Sequence, residues 1–317
     1  MNVKEQLHTQ LSLPVVAAPL FLISGPRLVV ECCRNGIVGS FPALNQRSSE
    51  GFREWVQQIK QELAESNSQT PFAVNLIVHH TNPRVEADLK ICVEERVPIV
   101  ITSLGAVSDL VDAVHSYGGL VFHDVINRRH AEKAIAAGVD GLICVAAGAG
   151  GHAGTLNPMP FLADIRSFFD GYLLLSGAMS SGQDVASAMQ MGADFAYLGT
   201  RFINTDESRA DEAYKNMIIE SGLADIVYTA AVSGVKANFL RPSLEAMGIS
   251  KELWEHSAKV DFGKELDTEA KAWKTIWSAG QGVATIKDSK PVAELVDELR
   301  AQFREAIVRQ GKLLEHY

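Results

Sequence analysis

What most constrains the fold of this chain is an alternation. Eight short apolar runs, rich in β-branched residues, are separated by longer stretches with helical spacing. The runs are 14–19 (PVVAAP), 37–41 (IVGSF), 72–78 (FAVNLIV), 99–104 (IVITSL), 120–125 (LVFHDV), 141–146 (GLICVA), 172–176 (YLLLS) and 195–200 (FAYLGT). Short continuous apolar runs read as strands covered on both faces, and strands joined through helices must run parallel. Between them, Gly51 to Glu65 sets Phe52, Trp55, Val56, Ile59 and Leu63 on one helical face, and Arg84 to Glu95 does the same with Val85, Leu89 and Val93. Glycine precedes several strands, in Asn35-Gly36-Ile37, Ala137-Gly138-Val139 and Met191-Gly192-Ala193, where it ends a helix in the left-handed conformation. Eight βα units predict an α/β fold, a closed (β/α)8 TIM barrel. An open doubly wound sheet is the alternative with the same alternation.

The alternation stops after Arg201. Residues 1–203 are therefore assigned to the barrel and 204–286 to a smaller, mainly helical appended region that covers the substrate, with a polar turn near Arg241-Pro242. Residues 287–317 form a C-terminal helix that packs back on the barrel through Val292, Leu295, Val296, Leu299 and Phe303.

Composition narrows the function. With 47% hydrophobic and 21% charged residues, the chain is not disordered, collagen-like or membrane-spanning in type. A net charge of −9 without a Lys/Arg block argues against nucleic acid and against a basic membrane-binding face. Cys32, Cys33, Cys92 and Cys144 make no Cys-x-x-Cys pair and read as reduced core residues. The apolar stretch Leu11 to Ile23 is interrupted by Pro14 and Pro19 and suits neither a spanning helix nor a signal peptide, so a cytoplasmic location is expected. A homo-oligomer is compatible with the sequence, which does not fix the oligomeric state.

In such a barrel, chemistry gathers where strands end at the C-terminal face. The sixth run is followed by Ala146-Ala147-Gly148-Ala149-Gly150-Gly151-His152-Ala153-Gly154-Thr155. Gly150 and Gly151 let backbone approach a flat or anionic ligand, and His152 among them is a candidate base, donor or switch near neutral pH. A metal fits less well, because no second His or Cys stands at ligand spacing. After the seventh and eighth runs come Ser176-Gly177-Ala178 and Gly199-Thr200-Arg201. These loops are where barrels often hold a phosphate, with Ser176 and Thr200 adding hydroxyls. No Walker lysine or Gly-x-Gly-x-x-Gly is present, which points to a mononucleotide such as FMN or to a sugar phosphate.

Asn75 offers a donor and an acceptor inside the third run. Of His123 and Asp124 only one can face the interior, since neighbours on a strand point to opposite sides. Thr102-Ser103, His79-His80 and Lys236 to Pro242 (KANFLRP) are further candidates for the pocket edge.

On the Gly-Gly-His-Ala-Gly loop and the stretch from Met191-Gly192-Ala193-Asp194 to Gly199-Thr200-Arg201-Phe202, the chain resembles the nitronate monooxygenase family, formerly the 2-nitropropane dioxygenases. Ala18-Pro19-Leu20-Phe21, Val74-Asn75-Leu76 and Ser176-Gly177 extend the likeness over residues 14 to 203. The resemblance implies an FMN-dependent oxidoreductase. Its phosphate would meet Gly177, Ala178, Gly199 and Thr200, and its ring would lie near Ala18, Leu20 and Asn75. His152 matches the family's active-site histidine. The implied reaction turns an alkyl nitronate, or a nitroalkane, and O2 into a carbonyl compound and nitrite. His152 would abstract the α-proton of a nitroalkane or donate to the nitro oxygens of a nitronate.

The chain departs from the family in two places. Ala178 stands where a second glycine is common, and Val145-Ala146-Ala147 lacks the acidic or amide residue often found before Gly-Gly-His. Related FMN-dependent NAD(P)H reductases, of the enoyl-acyl-carrier-protein or quinone reductase type, share the loop and form the alternative. A flavin-free barrel binding a phosphorylated metabolite is a second alternative.

Overall fold

The structure, a computed structural model, describes residues 7–79, 81–105, 107–232, 234–254, 276–313 and 315–317. Eight parallel strands form the main sheet: β1 (Val15–Ala17), β2 (Ser40–Pro42), β3 (Ala73–Ile77), β4 (Ile99–Ser103), β5 (Leu120–Val125), β6 (Gly141–Val145), β8 (Tyr172–Ser176) and β9 (Phe195–Leu198). Their order is β1-β9-β8-β6-β5-β4-β3-β2. The two ends meet through a parallel bridge between Val16 and Val38, and the Ala17 N–H donates to the Val38 carbonyl at 2.8 Å. The sheet is a closed barrel, as the alternation predicts.

Each expected run becomes a strand. The second starts later than expected, at Ser40, with Val38 contributing only the closing bridge. Crossover helices α1 (Pro26–Arg34), α2 (Ser49–Glu65), α3 (Val85–Glu94), α4 (Ser108–His115), α5 (Arg128–Ala136), α6 (Pro158–Arg166) and α7 (Gly182–Gln190) cover the outside. Gly36, Gly138 and Gly192 have φ of 79°, 88° and 97°, the left-handed helix endings anticipated for them.

Residues alternate along the strands between a helix-facing layer and the barrel interior. Val121 and Val125 of β5 join the outer layer, whereas Phe122 joins the interior cluster with Val16, Ile99, Ile143, Leu174 and Phe195. The N-terminal end of the interior is closed by rings. Phe122 and Tyr172 lie 5.5 Å apart, Tyr172 and Phe195 5.9 Å, and His8 stacks on Phe195 at 4.5 Å. Each fully buried ring contributes roughly 1.5–3 kcal/mol relative to exposure, so this end is a packed plug. Toward the C-terminal end the interior turns polar, at Asn75, Ser103, Asp124 and Ser176. That gradient marks the C-terminal end as the candidate site.

Residue 204 onward contains more than helices. The short α8 (Thr200–Ile203) leads to α9 (Glu212–Glu220), and a hairpin of β10 (Ile226–Thr229) and β11 (Ala237–Leu240) precedes α10 (Arg241–Ala246) and α11 (Lys251–Trp254). The hairpin adds strands to a region whose pattern is mainly helical. Each hairpin strand is only four residues long, and β11 finds its other partner about 85 residues upstream, so no local pattern marks it. That partner is β7 (Gly151–His152), which completes a three-stranded antiparallel sheet. The part of the helical expectation covering 255–275 lies outside the described residues. The final helix, α12 (Val292–Leu313), buries Val292, Leu295, Val296 and Leu299 in the barrel's outer layer. Among the described residues no helix is long and apolar enough to cross a membrane.

Candidate active site

The floor of the recess is a short polar chain across three strands. The Asn75 amide of β3 donates to Ser103 Oγ of β4 at 2.8 Å and to the Ile101 carbonyl at 3.3 Å. Ser103 Oγ in turn donates to Asp124 Oδ2 of β5. Asp124 Oδ1 is shielded from solvent and has no hydrogen-bond partner. Burial pushes the Asp124 carboxyl up to about 6, against the opposing pull of the Ser103 bond. Tyr197 of β9 is buried, and desolvation together with the Asp124 charge raises its phenol well above its ordinary value.

The choice between His123 and Asp124 is thereby made. His123 shares the outward face of β5 with Val121 and Val125, and its Nδ1 pairs with Thr102 Oγ1 at 2.7 Å. Burial, with a smaller contribution from His130, pushes its pKa down to about 4, so it is a neutral packing residue. His79 likewise bonds locally, Nδ1 to Thr81 Oγ1 at 2.8 Å, and His80 lies outside the described residues.

His152 stands at the rim. Ala149 and Ala153, on either side of it, belong to the interior cluster, so the loop folds inward over the C-terminal end. The hairpin fixes it there. Ala237 and Asn238 pair with His152 and Gly151, the buried Asn238 amide donates to the Ala149 carbonyl at 2.6 Å, and the Tyr228 hydroxyl donates to the Ala153 carbonyl at 2.9 Å. His152 is exposed at the rim, and partial desolvation by the neighbouring protein holds its pKa below the usual 6.5. The imidazole is therefore neutral at neutral pH, the form that accepts a proton.

Asn238→Ala should cost about 1–3 kcal/mol, because the Ala149 carbonyl loses its buried donor. It should also lower turnover more than it changes substrate affinity, which denaturant unfolding and steady-state kinetics together would check. Asn238 lies in the Lys236 to Pro242 stretch named above as a candidate pocket edge, whereas Tyr228 had no visible motif, because its task is defined by a distant loop.

The third wall comes from the loops after β8 and β9. Gly199 faces space: a Cβ built on it would meet only Leu20 Cδ2 at 3.6 Å and Ala18 Cβ at 3.8 Å. Ala18, Leu20 and Gly199 thus form one smooth apolar wall. The loop carrying Leu20 is pinned by Asn45, whose amide donates to the Leu20 and Ser24 carbonyls at 3.0 and 2.8 Å. Ser176 ends β8 facing the interior beside Val145. The N–H groups of Ser180 and Ser181 at the start of α7 are already taken by Asp184 Oδ2, at 2.9 Å each. A phosphate would therefore fall to the backbone at Gly177 and at Gly199-Thr200 rather than to that helix end.

The segment 279–282 was not anticipated. The Gly280 N–H donates to Thr200 Oγ1 at 2.9 Å, and the Gln281 and Ala178 N–H groups donate to the Gly148 carbonyl at 2.8 and 3.3 Å. A Cβ on Gly150 would sit 2.9 Å from the Gly280 nitrogen. These contacts bring Gly150, Gly151, Gly177, Ala178, Gly199 and Thr200 to one side of the recess. Ala178 adopts φ 58°, a conformation that disfavours a side chain. Ala178→Gly should stabilise the protein by about 0.5–1 kcal/mol, the relieved strain exceeding glycine's extra unfolded-state freedom. A denaturant midpoint no higher than that of the parent protein would contradict this.

Residues 84–302 match a protein-family model described as nitronate monooxygenase. The chain is 26% identical to a nitronate monooxygenase of Paraburkholderia phytofirmans, covering 93% of each sequence. Its fold is similar to that of FabK from Thermotoga maritima (TM-score 0.81, 21% identity, 98% of both chains covered). It is also similar to the fold of nitroalkane oxidase from Streptomyces ansochromogenes (TM-score 0.78, 23% identity, 96% and 99% covered).

Proposed function

Because the chain belongs to the nitronate monooxygenase family, we propose that it binds FMN across the barrel mouth and oxidises alkyl nitronates with O2 to carbonyl compounds and nitrite. The reaction balances as two nitronates and one O2 giving two carbonyl compounds and two nitrite ions. The observation that carries this reading is His152, neutral and fixed at the rim of a recess whose wall is glycine backbone and whose floor is polar.

The residues fit such a cofactor. The polar floor at Asn75 and Ser103 suits the edge of a flat ring system, and Gly199, with only Leu20 and Ala18 beside it, gives the smooth apolar side that a ring requires. Backbone at Gly177, Gly199 and Thr200 would hold the phosphate, with Ser176 and Thr200 supplying hydroxyls, while the Ala178 N–H, bonded to the Gly148 carbonyl, shapes the loop beside them. Bound FMN would accept electrons from the nitronate and pass them to O2.

The protein's own residues bind, orient and move protons. Gly150 and Gly151 allow the loop to lie close to the ligand. His152 takes the α-proton of a neutral nitroalkane on its imidazole, or donates from it to the oxygens of a nitronate already ionised. Purified protein loaded with FMN should release nitrite from propyl nitronate with concurrent O2 uptake. Failure to form nitrite above the protein-free rate would refute the activity.

A further inference from the structure

Asp124 has features that the proposed reaction does not use. It is the sole carboxyl on the interior faces of the eight barrel strands among the described residues. Ser103 holds Oδ2, and Asn75 orients that serine, so the carboxyl is fixed in place. Oδ1 is buried and has no hydrogen-bond partner among the described residues, while the residue as a whole is partly exposed. A buried polar atom of this kind is costly unless a ligand or a proton satisfies it.

The groups around it are few. β4 presents Ser103, β6 presents Ile143 and Val145, β3 presents Asn75, and β9 presents Tyr197, whose phenol the Asp124 charge disfavours ionising. His152 is at the rim, and His123 lies on the other face of β5. Among the described residues no basic side chain offsets the burial that raises Asp124, so its charge is sensitive to any change of charge in the recess.

Resting on the flavin reading above, we propose that Asp124 is a second proton-holding residue of the site, taking a proton from solvent when an electron pair enters FMN in the recess. The electrons come from the substrate or from an added reductant. The flavin takes two electrons and one proton and gains one negative charge, and a second proton forms an O–H bond on the Asp124 carboxylate. The linkage follows from repulsion between two negative charges in a poorly solvated space. Asp124 is thus a positioning and tuning residue distinct from His152.

The test is the midpoint potential of the FMN-loaded protein against pH, from below to well above pH 6, in the unmodified chain and in Asp124→Asn. The unmodified protein should show a line that steepens from one proton to two per electron pair above about pH 6, where the carboxyl is ionised before reduction. Asp124→Asn should keep the one-proton slope throughout and a higher potential at alkaline pH. Ser103→Ala, which removes the bond that lowers the Asp124 pKa, should move the bend to higher pH. Coincident lines for Asp124→Asn and the unmodified protein, with FMN bound in both, would overturn the role of Asp124 alone. Failure of the unmodified protein to take up FMN would overturn this proposal together with the flavin reading.

Discussion

Replacing His152 with alanine lowers the rate on a neutral nitroalkane by roughly 10²- to 10⁴-fold, the usual contribution of a positioned general base. FMN content should not change, since the phosphate candidates are backbone groups at Gly177 and Gly199-Thr200 and not the His152 ring. The loss should be smaller with a preformed nitronate, which needs no proton removed. The same residue sets a pH dependence. A base works when neutral, and desolvation holds the His152 pKa below 6.5, so kcat/KM for a nitroalkane should stay level above that pH and fall as pH drops through the lowered value. Equal losses on nitroalkane and nitronate would make His152 a binding group instead.

Filling the apolar wall should have the other large effect. Gly199→Val adds its Cβ where the neighbours, Leu20 and Ala18, stand at ordinary contact distance, so the fold tolerates it. The backbone there, at φ −104°, also accepts a side chain without left-handed strain. What the valine removes is the space beside the wall. FMN affinity should therefore fall on the order of 100-fold or more, a loss of about 2.7 kcal/mol, while the apo-protein unfolds at an unchanged denaturant midpoint. Fluorescence titration of FMN against the apo-protein measures the first, and unfolding by circular dichroism the second. Undiminished FMN affinity would show that the flavin, if bound, lies elsewhere.

The barrel was legible because its signal is local and repeated: each βα unit announces itself by an apolar run and a helical stretch, and several by a glycine as well. His152, Gly177 and Gly199 were legible for a related reason, since strand ends have a known place in a barrel. Asp124 was visible only as half of a pair, because alternation says that one of two neighbours faces inward without saying which. The register with Ile143 and the bond from Ser103 decide it. The hairpin and the 279–282 segment were hidden for a different reason. Their partners, His152 in one case and Thr200 and Gly148 in the other, are far away in sequence, and four-residue strands carry too little pattern to register. The missing polar residue before Gly-Gly-His gains meaning from the fold. Asp124 supplies a carboxyl to the same recess from the neighbouring strand, β5 beside β6.

The central claim, a flavin reduced by a nitronate in this recess, is tested most directly by the visible absorption spectrum of the FMN-loaded protein under anaerobic conditions. Adding an alkyl nitronate should bleach the flavin band, and admitting O2 should restore it. A band that a nitronate leaves unchanged, but that NADH bleaches rapidly, would contradict the account and identify a nicotinamide-dependent reductase.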